Sequence, residues 1–139
     1  MLGSALPNKV AEVMSIKVML EEIEQLRAEL ADYPDALVAL DEIEFCEGDL
    51  EDAAIVLGIQ VGQEPDTSDR WIDGLAKRWR HVICQASLKA GLETGLTANL
   101  LVLLTEQTTL PLKLAIPVGL YVIKTGVQDF CQLFEAKIQ

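Results

Sequence analysis

Arg70, Trp71, Lys77, Arg78 and Arg80 lie within eleven residues of one another and hold the densest recognition chemistry in the chain. Guanidinium and indole groups are enriched where one protein grips another, because each joins a large contact area to a polar handle. With Trp79 and Lys89 nearby, this stretch carries nearly half of the chain's basic residues. It is the candidate partner-binding face. The plainer reading sets the same cations against the acidic faces of neighbouring helices in the same chain. Such surface pairs contribute only ~0–1 kcal/mol each, but they can decide which helices are adjacent.

Nucleophilic chemistry would have to come from Cys46, Cys84 or Cys131 with His81, the one histidine. Cys84 is three residues from His81, so one helical face can hold both, as a thiol and its base require. No third group or oxyanion donor is identifiable beside them. The cysteines lie 38 and 47 residues apart with no CxxC pair. An odd count without paired spacing reads as buried free thiols in a reducing compartment. Hard cations need several carboxylates converging on one point. Glu42, Glu44 and Glu47 do not share one helical face, and a di-iron bundle would need Glu-x-x-His pairs that are absent. A phosphate loop and a dinucleotide fingerprint are absent too. The sequence therefore gives no catalytic residue, cofactor or metal.

Charge is laid out unevenly. Residues 21–52 hold 13 of the 22 acidic residues and one basic residue, Arg27, while 95–134 carry four charges in all: Glu106, Lys113, Lys124 and Asp129. The first stretch is a solvated acidic surface and the second is core. The net charge of −11 disfavours nucleic acid, whose binding depends on cations that displace counterions. It also disfavours anionic membranes. Aromatic residues make up 5% of a chain that is 50% hydrophobic. Leu, Ile, Val and Ala must then build the core, which suits packed helices.

The positioning elements follow from apolar spacing and caps. The first helix is expected from about residue 7 to 31, with Ile16, Met19, Leu20, Ile23, Leu26 and Leu30 as its stripe, ending before Pro34. The second runs from Pro34 to Gly48. Asp49 caps the third, which buries Leu50, Ala53, Ala54 and Leu57. Residues 63–68 are a loop. The fourth helix, about 69–90, presents the basic face. Thr97 caps a fifth over 98–107 that is apolar all round and therefore central. A sixth spans about 112–136, kinked at Pro117; residues 112–123 could also read as a strand.

Gly48-Asp49-Leu50, Ala53-Ala54 and Leu57-Gly58-Ile59 make residues 40–59 resemble the opening of a Fis-type helix-turn-helix. The resemblance implies two closely crossed helices followed by a recognition helix that enters the major groove. The chain departs from it at that point, with Gln60-Val61-Gly62-Gln63-Glu64-Pro65. Seven acids between Asp41 and Asp52 would also face the phosphates. No nucleic-acid partner is expected.

The apolar runs 96–104 and 110–123 are each shorter than the roughly 20 residues that cross a bilayer, so a buried helical hairpin is expected. The sequence thus describes an all-α protein, a single domain over 1–139. It is a bundle of five or six helices with the apolar C-terminal hairpin as its centre. The start at Met1 lacks a secretory pattern, which leaves the cytoplasm as the expected compartment. The expected function is a small interaction or regulatory module that binds a protein partner or itself as a homodimer. The alternative is an enzyme without a recognisable motif, and the third reading is a membrane-associated helical protein.

Overall fold

Pro34, Asp49 and Thr97 each open a helix where the sequence places a start. The computed structural model describes residues 17–66 and 70–138. Nine helices lie among them: α1 Leu20–Glu29, α2 Pro34–Phe45, α3 Leu50–Gln60, α4 Trp71–Arg78, α5 Arg80–Ile83, α6 Ala86–Thr94, α7 Ala98–Gln107, α8 Leu112–Thr125 and α9 Val127–Ile138. Pro34 occupies the first turn of α2, where its missing N–H costs nothing. The Asp49 carboxylate accepts the Asp52 N–H at 3.0 Å, and the Thr97 hydroxyl accepts the Leu100 N–H at 3.3 Å. Each satisfies an amide that the first helical turn leaves without a partner.

Three expectations about helix extent are corrected. The first helix begins at Leu20, and its expected portion before residue 17 lies outside the described residues. Val18 lies outside the helix and donates its N–H to the Gly48 carbonyl at 2.8 Å, and Met19 after it is extended. Gly48 has φ +85°, and a Cβ there would overlap the Val18 carbonyl, so only glycine fits. The Glu22 side chain then accepts the Met19 N–H at 2.8 Å and starts the helix.

The expected fourth helix is three. It bends at Trp79 and breaks at Cys84–Gln85, where Gln85 turns extended. The last helix is two, divided at Gly126 with φ +108°. Residues 112–123 are helical, and the helix continues through the buried Pro117.

One apolar cluster runs through the body. Its axis is α8, buried without interruption from Leu114 to Val122 and packed against α2, α3, α4, α6, α7 and α9. The expected pair of central helices thus resolves into one. Leu100, Leu104, Leu114, Ile116 and Leu120 are buried, but Leu103 is 36% exposed and Val102 is exposed beside it. A leucine run on a helix at the side of the body cannot all face inward, since its residues are spread around the axis. In the acidic layer Glu21 and Glu24 are exposed, whereas Glu42 and Glu51 are half-buried.

The cysteines are also corrected. Cys84 and Cys131 form a disulfide, with Cα atoms 5.5 Å apart, and Cys46 is the free thiol. Their 47-residue separation gave no sign of it, because the break at Cys84–Gln85 is what turns Cys84 toward α9. No helix among the described residues is long and apolar enough to cross a membrane.

Candidate interaction site

The five cationic and aromatic candidates separate into three environments. Arg70, Trp71 and Arg78 come together. With Asp66, Gly74 and Leu75 they line an open groove of about 210 Å³. Arg70 stands at the N-terminal cap position of α4 and Arg78 is its last residue, so the guanidiniums mark the two ends. The Trp71 indole lies on α3, where Gly58 makes room for it; a Cβ at Gly58 would overlap the ring. Around Gly74, nothing lies within 4 Å of where a Cβ would stand, which leaves the middle of the groove open.

Lys77 points elsewhere and pairs with Asp73 at 2.7 Å, one turn back on the same helix. The Tyr121 hydroxyl from α8 donates to the same carboxylate at 2.6 Å. Burial alone would raise the Asp73 pKa, but the Lys77 ammonium and the Tyr121 hydroxyl hold it below the usual carboxylate range. Tyr121 is pushed up to about 12 by burial and by the Asp73 carboxylate it faces.

Arg80 belongs to the core. It is 8% exposed, and its guanidinium carbon sits 4.5 Å over the centre of the Phe130 ring. A cation on an aromatic face is attracted by the ring quadrupole, more strongly when water is excluded. The bend at Trp79 turns Arg80 inward, away from Arg78.

The acidic layer does reach α4, though through a contact the sequence did not suggest. The Glu51 carboxylate of α3 accepts the Trp71 and Ile72 N–H groups, both at 2.9 Å. Arg70 offers no side-chain cap of its own, so an anion from the neighbouring helix supplies the cap and meets the positive end of the helix dipole. Within the acidic layer, Arg27 of α1 pairs with Asp41 and Glu44 of α2. Lys124 of α8 reaches Glu22 of α1 at 2.7 Å.

A second groove, about 310 Å³, went unnoticed in the sequence. Leu26, Leu96, Leu120 and Ile123 form its floor, with Glu22 and Glu29 at its edge. Its lining comes from α1, α8 and the turn before α7, segments remote in sequence and individually unremarkable. It holds no nucleophile and no histidine.

Thiol chemistry has little to work with. Cys84 is bonded to Cys131. Burial, reinforced by the Glu42 carboxylate, pushes the Cys46 thiol up to about 11. A thiol so raised is protonated at neutral pH and is a poor nucleophile. His81 is exposed, with its ring 5.9 Å from that of Trp79. Among the described residues, no group of three His, Cys, Asp or Glu side chains could hold a metal ion.

Comparison with protein-family models, with curated proteins and with solved structures returns no match. α2 packs against α3, whose Ala53 and Ala54 are fully buried. After it come non-helical residues through Asp66, and α4 begins with its N-terminus bound to Glu51.

Proposed function

We propose that this protein is a small helical interaction module and that the Arg70–Trp71–Arg78 groove takes the acidic segment of a partner protein. The observation that carries the reading is the juxtaposition itself. Two guanidiniums stand at either end of an open groove, and the indole that borders it is fixed from behind by α3. Guanidinium forks match carboxylates, and an indole held in place loses little freedom when a partner packs on it. In a chain of net charge −11, a local cationic groove would also steer an acidic partner to one place. Lys77 and Arg80 do not line this groove; Lys77 pairs with Asp73 and Arg80 covers Phe130.

The proposed compartment remains the cytoplasm. A disulfide there is uncommon and usually responsive to redox state rather than a permanent staple. Self-association as a homodimer is the second source of an acidic segment, since α1 and α2 of another copy would supply one.

Titration with a glutamate-rich peptide, followed by tryptophan fluorescence and calorimetry, tests the reading. Arg70→Glu with Arg78→Glu should weaken binding roughly tenfold or more, about 1.4 kcal/mol. Lys77→Glu should change it little. Equal effects from Lys77→Glu and from the groove pair would reduce the interaction to net charge and remove the groove from it.

A further inference from the structure

The bond between Cys84 and Cys131 joins the turn after α5 to α9, the last helix among the described residues. Its two ends differ. Cys131 is wholly buried on the face of α9 that also buries Val127 and Phe130. Cys84 is half-buried, so one sulfur of the pair belongs to a residue that solvent reaches. Arg80 lies one turn before Cys84, whose N–H donates to the Arg80 carbonyl at 2.9 Å. The Arg80 side chain covers Phe130, the residue next to Cys131. Its Nε is buried with no hydrogen-bond partner. A buried donor left unsatisfied costs stability. The Asp73 carboxylate of α4 is the anion that acts on this guanidinium while the disulfide is closed; a thiolate at the opened bond would be a second.

We propose that this disulfide is a redox-responsive latch on α9 and that Arg80 is its positioning residue, a resident cation that favours the opened, thiolate state. The co-reactant is a dithiol. One thiolate of the dithiol attacks the sulfur of Cys84, the accessible side. The Cys84–Cys131 bond breaks, its electron pair goes to Cys131, and a mixed disulfide forms at Cys84. The second thiolate of the dithiol then attacks its own half of that mixed bond. Cys84 leaves as a thiolate and the dithiol departs as a disulfide. Two electrons pass to the protein, and the two protons shed by the dithiol end on the cysteines or in solvent. In the first step the charge develops on Cys131, the neighbour in sequence of the Phe130 that Arg80 covers, and in the proposed latch Arg80 is the cation that lowers the energy of that thiolate. Opening the latch leaves α9 held by its non-covalent contacts with α5, α6 and α8, among them the Gln128–Glu93 hydrogen bond and the Arg80–Phe130 stack.

The test uses the full chain in its oxidised form, treated with dithiothreitol without denaturant. Thiol titration should rise from one group, Cys46, to three. Hydrogen exchange across residues 127–138 should accelerate about tenfold or more, with α2 and α3 unchanged, as local opening of one unit requires. Arg80→Met should move the pH profile for alkylation of the reduced protein upward by about one unit, and Arg80→Lys should restore most of it. Release of thiols only in denaturant would overturn the proposal. So would unchanged exchange in 127–138 after reduction, or a rise spread evenly over α2, α3 and α9, which marks a structural staple. An alkylation profile indifferent to Arg80→Met would remove Arg80 from the latch. The double variant Cys84→Ser/Cys131→Ser, which cannot close, should show the exchange pattern of the reduced protein.

Discussion

Removing the Glu51 carboxylate should loosen the N-terminus of α4 and cost far more than a surface glutamate usually does. Glu51 accepts two backbone N–H groups, from Trp71 and Ile72, at 2.9 Å each. Hydrogen bonds to a charged group contribute ~1.5–3 kcal/mol apiece when the donors have no other partner. Two of them set an upper bound of about 3–6 kcal/mol. Glu51 is only half-buried, however, so water can reach part of the vacated site. Measured losses of a cap run ~0.5–2 kcal/mol, and the helix dipole adds up to ~1 kcal/mol. The expectation for Glu51→Ala is therefore about 2–3 kcal/mol. Glu51→Gln keeps one acceptor oxygen without the charge and should lose about half of that.

Urea denaturation followed by far-ultraviolet dichroism measures it. With a slope of roughly 1–2 kcal/mol per molar urea, the Glu51→Ala midpoint should fall by ~1–3 M. Glu24→Ala, an exposed acid on α1, should stay within about 0.5 kcal/mol of the parent. If the Glu51→Ala and Glu24→Ala midpoints coincide, Glu51 is ordinary solvated surface, and the argument that the acidic layer anchors α4 fails with it. A fall in the slope alone would mean a changed denatured state rather than a lost cap.

Adjacent leucines should separate sharply: Leu104→Ala should cost ~2–5 kcal/mol as an emptied core site, whereas Leu103→Ala, at 36% exposure, should cost about 1 kcal/mol or less, and their urea midpoints decide it. Gly58→Ala should destabilise by ~1–3 kcal/mol through overpacking, since the new methyl overlaps the Trp71 ring; a red-shifted tryptophan emission would report the displaced indole, and an unchanged spectrum with unchanged stability would contradict the packing. Asp73 and Glu22 are held below their ordinary values of 3.8 and 4.5, so the stability they supply is complete above those values and is lost as pH falls through the lower folded ones; Asp73→Asn should flatten that acid limb. Tyr121 acts in the other direction: its value is raised from 10.0 to about 12, so its contribution is intact below pH 10 and disappears as pH climbs toward 12, and Tyr121→Phe should flatten the alkaline limb.

What the sequence made legible was local. Asp49, Thr97 and Pro34 announce helix starts because a cap is a short-range event between a side chain and amides two or three residues away. The α7 boundaries, 98 and 107, were read in full for that reason. The breaks at Trp79 and at Cys84–Gln85 carry no glycine or proline, and tertiary packing rather than local propensity imposes them. Their consequences were hidden along with them. Arg78 and Arg80 are two residues apart, yet one borders a groove and the other covers Phe130. Glu51 was read as solvated because its partners, the amides of residues 71 and 72, lie twenty residues on. The disulfide was hidden likewise, since no spacing rule pairs Cys84 with Cys131.

The acidic segregation that stands out in the sequence does its structural work through few contacts. Arg27 ties α1 to α2, Lys124 ties α1 to the central α8, and Glu51 ties α3 to the start of α4. Glu29 accepts the Ala98 N–H of α7 and Asp49 caps α3; the acids of the run that make no such contact repel other anions. The groove at α4 brings Arg70 and Arg78 together with Asp66, and its position depends on Glu51 below and Gly58 behind. The proposed binding there would therefore be linked to the cap beneath it. A partner that packs on Trp71 should reinforce the α4 N-terminus, and Glu51→Ala should weaken the glutamate-rich peptide as well as the fold. If peptide affinity is unchanged in Glu51→Ala while stability falls, the groove is formed without the cap, and the two properties are independent.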